Sequence, residues 1–134
     1  MNFYEIPIFI ISYNRLDTLS KCVNRYVEDG YTNIIILDNA STDDELLSYL
    51  QNSPYKVFFL KNNYGQRALW ECRQFDDIIT QQFYVLTDPD ILPIDECPSD
   101  YIYHFHEILA AHPKKTKVGF SLKIDDLPND YPYK

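Results

Sequence analysis

The chain has 134 residues, 46% hydrophobic and 24% charged, a balance that suits one globular domain with a real core and leaves too little chain for two. Its formal charge is −8, from 12 basic and 20 acidic residues, which argues against a nucleic acid as partner. No apolar run approaches the roughly 20 residues of a membrane span, and no basic segment followed by an apolar one opens the chain. The three cysteines, Cys22, Cys72 and Cys97, have no CxxC spacing and read as reduced thiols. The expected setting is the cytoplasm, with at most a peripheral contact at the cytoplasmic face of a membrane. Aromatic residues reach 16%, with twelve tyrosines, a count that core packing explains and that sugar-binding surfaces also produce.

Residues 6–11 (IPIFII) form an apolar run suited to a strand buried on both faces, as in parallel sheets. After Ser12, Tyr13, Asn14 and Arg15, apolar side chains fall at helical spacing at Leu16, Leu19, Val23, Tyr26 and Val27, and Gly30 is placed to end that helix. Residues 34–37 (IIIL) read as a second buried strand, ending in Asp38, Asn39, Ala40, Ser41 and Thr42. Thr42 and Glu45 have capping-box spacing for a short helix with Leu46, Leu47 and Leu50 inside. A third strand is expected over 57–60 (VFFL), followed by the polar turn 61–65 (KNNYG). One helix over 66–79 fits Leu69, Cys72, Phe75 and Ile79.

Residues 83–91 (FYVLTDPDI) then read as a central strand running into two carboxylates around a proline. Ser99 is a suitable cap for a helix with Ile102, Phe105, Ile108 and Leu109 inside, and 118–122 (VGFSL) is expected as a fifth strand. Strand and helix alternate almost without exception, which predicts one α/β domain over 1–134 with a mainly parallel sheet.

In such sheets the loops after successive strands meet at one edge, where ligands bind. The first loop offers Ser12, Tyr13, Asn14 and Arg15, and the second Asp38, Asn39, Ser41 and Thr42. The third offers Asn62, Asn63, Gly65 and Arg67, and the fourth Asp88 and Asp90. Any one cluster alone is equally good turn and capping chemistry. Recurrence after all four strands points instead to a ligand site. Proline pushes Asp88 towards the extended region, where residues two apart point the same way, so Asp88 and Asp90 can present their carboxylates together. Two such groups repel unless a cation lies between them or one is protonated, which suggests a divalent metal. His104 and His106, two apart on a helix, make a poor metal pair and are expected to be ordinary helix residues.

The order PIFIISYNR, IIILDNASTD, NNYGQRALW and VLTDPDI resembles family-2 glycosyltransferases with the GT-A fold, over about 6–91 and less specifically to 124. The resemblance implies a three-layer, Rossmann-like fold with a mainly parallel central sheet, cut off after the fifth strand. It implies transfer of a sugar from a nucleotide-diphosphate donor, with UDP as the expected nucleotide, to a glycan or lipid-linked acceptor, as in polysaccharide biosynthesis. Ser12, Tyr13, Asn14 and Arg15 would then face the nucleotide. Tyr13 could stack on a uracil, Asp38 accept from its N–H, and Asn39 fix the loop. Asn63, Gly65 and Arg67 would lie near ribose or diphosphate, with Arg15 a second phosphate candidate. Asp88 and Asp90 would hold the diphosphate through Mn²⁺ or Mg²⁺, hard cations that prefer oxygen ligands.

No position matches the family's acceptor-activating base, so no catalytic residue is assigned. The resemblance implies the donor-binding half of a longer enzyme, with apolar surface free for self-association. Two rivals come from other classes. A non-catalytic nucleotide-sugar-binding module would share the site without the transfer. A nucleotidyltransferase would need a basic, glycine-rich phosphate clamp, which a chain with three glycines does not provide.

Overall fold

The computed structural model describes residues 1–121, which fall in two compact units, Met1–Ser99 and a second that starts at Asp100. The first holds β1 (Ile8–Ser12), α1 (Leu16–Glu28), β2 (Ile34–Asp38), α2 (Asp44–Asn52), β3 (Lys56–Phe59), α3 (Ala68–Glu71), α4 (Asp76–Gln81) and β4 (Val85–Thr87). Its sheet has four strands in the order β3-β2-β1-β4, all parallel. Ile8 registers with Ile34 on one side and Val85 on the other, and Ser12 with Asp38. Every residue of β1 and β2 is buried, as expected for β-branched strands covered on both faces.

The period of two divides these strands between two layers. Phe9, Ile11, Ile35 and Leu37 pack with Leu60, Ala68, Leu69 and Phe75. Phe75 is the anchor of that layer, with edge-on contacts to Phe9 at 5.1 Å and Phe58 at 4.9 Å between ring centres. Ile8, Ile10, Ile34 and Ile36 point the other way, to the face of α1 and α2. Those helices bury Leu19, Cys22, Val23 and Tyr26, and Leu46 and Leu50. Right-handed crossovers produce this division: β1 to β2 to β3 winds one way, and the return to β4 winds over the opposite face. The strand order therefore reverses beside β1, and the loops after β1 and β4 part there to leave a crevice.

Several elements differ from the sequence reading. The helix expected over 66–79 is a 3-10 turn (Gly65–Arg67) and two short helices, α3 and α4, parted by Arg73 at φ 61°. The break falls just before Phe75, which turns into the core against Phe9 and Phe58. β4 is three residues long, shorter than the run over 83–91 suggested, and among the described residues it pairs with β1. Asp43, not Thr42, caps α2, its carboxylate accepting from the Leu46 N–H at 2.9 Å, because Thr42 is bound to Asn14. In the second unit α5 (Tyr101–Ala111) has Asp100 at its N-cap, without a side-chain cap bond. Ser99 does not cap it. Phe120 packs on Tyr101 and Phe105, and residues 118–121 form no strand; Leu122 lies outside the described residues. Among the described residues no helix is long and apolar enough to cross a membrane.

Candidate functional site

The polar loops after β1 and β2 are locked together by short side chains. Asn14 sits at φ 53°, in the left-handed region that asparagine tolerates better than most residues. Its carbonyl oxygen accepts from the backbone N–H of Thr42 (2.7 Å) and Asp43 (2.9 Å), and its amide donates to the Thr42 hydroxyl. Its own backbone N–H donates to the Ser41 hydroxyl at 2.9 Å. Ser41 in turn donates from Oγ to Asp38 Oδ1 (2.6 Å) and from its backbone to Oδ2 (3.0 Å). The Ser12 hydroxyl adds a third bond to Oδ1 at 3.2 Å, across the strand pair that registers Ser12 with Asp38.

Asp38 is 1% exposed, so these donors are what make burial of its charge tolerable. Asn39, equally buried, ties the second loop to the third: its amide donates to the Gly65 carbonyl (3.0 Å) and its oxygen accepts from the Tyr64 N–H (3.2 Å). Asn63 closes the third loop on itself by accepting from the Gly65 N–H at 2.8 Å. Gly65 has φ 62°, so any side chain there would strain the turn although space is open.

The fourth loop is built differently. Asp88 and Asp90 are exposed, and among the described residues their carboxylates make no hydrogen bond or ion pair. The backbone behind them is held. The Arg25 guanidinium donates to the Pro93 and Ile94 carbonyls, the Cys22 thiol approaches the Ile91 carbonyl at 3.9 Å, and the Tyr31 hydroxyl donates to Ser99 O at 2.8 Å. Burial, and secondarily the charge of Asp90, pushes the Cys22 thiol up to about 12, so it is a neutral, inert group rather than a nucleophile. Burial likewise raises Tyr26 above the ordinary phenol range.

A cleft of about 330 Å³ opens in the crevice between the β1 and β4 loops and gathers Tyr13, Arg15, Asn39, Asn63, Gly65, Asp88 and Asp90. Ser12, Asn14 and Asp38 form the hydrogen-bonded layer that shapes its loops. Arg67 lines an adjoining cavity that shares Asp88, and its exposed guanidinium pairs with Glu71 at 3.2 Å. Sequence reasoning missed Thr18, Gln66 and Trp70, which also face these spaces. Trp70 had a signal, since it follows Arg67 by one helical turn. His104 pairs with Asp100 at 3.2 Å. Among the described residues no three His, Cys, Asp or Glu side chains converge as metal ligands. The carboxylates of Asp88 and Asp90 are oxygen donors of the kind a hard divalent cation prefers.

A covered parallel sheet with a polar crevice at its reversal point defines an α/β ligand-binding fold of the Rossmann-like kind. The chain matches the family model described as "Glycosyl transferase family 2" over residues 8–107, and it belongs to that family. No curated protein and no solved structure matches it.

Proposed function

We propose that the cleft binds a nucleotide-diphosphate sugar, with UDP as the nucleotide, for transfer of the sugar to a glycan or lipid-linked acceptor. The observation that carries this is the contrast among the carboxylates: Asp38 is buried and held by three donors, whereas Asp88 and Asp90 are exposed and, among the described residues, free in the cleft. Asp88 and Asp90 would hold Mn²⁺ or Mg²⁺, which when bound offsets the charge that develops on a departing diphosphate. Tyr13, 46% exposed, presents its ring to a base, and Arg15 reaches towards phosphate. Asp38 holds the loop, and one lone pair of Oδ2 remains for a base N–H. Asn63 and Gly65 bring backbone close to the ribose.

The test is calorimetric titration with UDP, with and without Mn²⁺. Binding that strengthens with the metal is expected, and Asp88→Ala or Asp90→Ala should abolish the strengthening while leaving thermal stability within about 0.5 kcal/mol, as for exposed side chains without partners. Metal-independent binding in the parent chain refutes the carboxylate role, and no heat with UDP refutes the nucleotide.

A further inference from the structure

We propose that Thr87 and Tyr26 are a positioning pair, two buried hydroxyls that set the turn carrying Asp88 and Asp90 and with it the cation affinity of the cleft. This rests on the reading of those two carboxylates as ligands of a divalent cation. Asp88 and Asp90 occupy the first and third positions of a turn closed by the Ile91 N–H, which donates to the Asp88 carbonyl at 3.4 Å. Pro89 holds the second position, which its fixed φ suits. A separation of 3.4 Å lies beyond the usual range for N–H···O, so that bond orients the peptide only weakly. The same carbonyl has a second donor, the Thr87 hydroxyl, at 2.9 Å. This shorter bond fixes the peptide between Asp88 and Pro89, and hence the angle at which the turn leaves β4.

Thr87 is itself held from behind. It is 9% exposed, registers with Ile10 at the end of β4, and hydrogen-bonds through its side chain with Tyr26 of α1, which is 4% exposed. Burial keeps the Tyr26 phenol protonated, and the Thr87 proton goes to Asp88, so the phenol donates and the Thr87 oxygen accepts. The bonds run in one direction, from α1 through Thr87 to the Asp88 carbonyl. Cys22, one helical turn before Tyr26, approaches the Ile91 carbonyl at 3.9 Å. One face of α1 therefore governs the turn at both of its ends. Packing alone does not call for two hydroxyls in a layer built from Ile8, Ile10, Leu19 and Val23, since Phe and Val have the same shapes.

The experiment titrates the full chain with Mn²⁺ alone, counting free Mn²⁺ by electron paramagnetic resonance, beside thermal melts without metal. Thr87→Val, which keeps the shape and removes the hydroxyl, should weaken Mn²⁺ about tenfold, the lower end of what partners of metal ligands contribute. Thr87→Ser, which keeps the hydroxyl, should recover most of that loss. Tyr26→Phe should weaken Mn²⁺ about threefold in the parent chain and add nothing in the Thr87→Val background, because the phenol acts through Thr87. The double variant removes both partners of a buried bond in matched shapes, so its metal-free melt should stay close to the parent's. Three results overturn the proposal and spare Asp88 and Asp90 as ligands. Thr87→Val binds Mn²⁺ as the parent does, whatever its melt, which makes the pair merely structural; Thr87→Ser loses as much as Thr87→Val; or Tyr26→Phe has no effect, or the same effect in both backgrounds. Absence of Mn²⁺ binding by the parent, or binding that survives Asp88→Ala and Asp90→Ala, overturns the carboxylate reading and this proposal with it.

Discussion

Replacing Arg25 by Met removes a clamp that lies outside the cleft yet fixes the segment that follows its carboxylates. The guanidinium donates to the carbonyls of Pro93 at 2.8 Å and Ile94 at 3.2 Å, reaches Cys97 at 3.5 Å, and pairs through Nε with Asp29 at 2.8 Å. The two charged side chains are 16% and 13% exposed, so water screens the pair only in part. Hydrogen bonds from a charged donor are worth about 1.5–3 kcal/mol each, but those sharing one side chain do not simply add. Met keeps most of the aliphatic stem, so packing changes little. The expected loss is about 2–4 kcal/mol, or a fall of about 8–16 °C in the thermal midpoint at roughly 4 °C per kcal/mol. Circular-dichroism melts at neutral pH measure it. Arg25→Lys should recover at most half, because an ammonium cannot reproduce the planar fork. The Arg25→Met, Asp29→Asn double variant should lose less than the two single losses combined, since one pair is being removed twice. A parent-like melt for Arg25→Met, within about 2 °C, refutes the clamp.

Asn39→Ala should cost about 2–3 kcal/mol in urea denaturation, since it strands the Tyr64 N–H and the Gly65 carbonyl, and should weaken UDP binding by loosening the third loop. Asn39→Asp, which can accept but not donate, should fall between. Stability should also decline at high pH: the folded Cys22 pKa of about 12 lies above its ordinary 9.0, so the neutral thiol's contribution is whole below pH 9 and fades as pH rises towards 12. The slope is about 1.4 kcal/mol per pH unit, and between pH 9 and 10, before phenols titrate, Cys22→Ala should flatten it. A parent chain whose urea midpoint is constant from pH 8.5 to about 10 refutes the burial of that thiol.

Legibility in the sequence tracked how local the deciding interaction was. The strands over 6–11 and 34–37 are uniformly apolar, and no competing partner exists for such runs except a covered sheet, so β1 and β2 were plain. The loops that follow them were legible as polar clusters because a parallel sheet sends all such loops to one edge. The division of labour within the clusters was not legible. Asp38 and Asp88 look alike in sequence, and only the positions of Ser12 and Ser41 across the strand pair make the first a hydrogen-bonded pin. Thr42 had the spacing of a cap, but Asn14, 28 residues earlier, claims it. The break between α3 and α4 carries no glycine or proline and follows from the pull of Phe75 onto Phe9 and Phe58. These are tertiary decisions, and propensity yields to them.

The fold treats its three carboxylates at this edge in opposite ways, and that difference divides the site. A buried carboxylate without donors would cost several kcal/mol, so Ser12 and Ser41 are needed before any ligand arrives. Asp38 is therefore tied into the fold before any binding, and removing it tests stability and binding together. Asp88 and Asp90 have no such structural need. Among the described residues their carboxylates accept no hydrogen bond, and both line one cleft. The contacts that fix their loop, from Cys22, Arg25 and Tyr31, all fall on backbone carbonyls behind them and leave both side chains free. Held backbone with free oxygens would be a preorganised donor set for the cation proposed above, which would bring relief from any repulsion between the two charges. A rise in thermal midpoint with Mn²⁺ alone, lost in Asp88→Ala, is the expected sign of that relief, and an unchanged midpoint at millimolar Mn²⁺ refutes it.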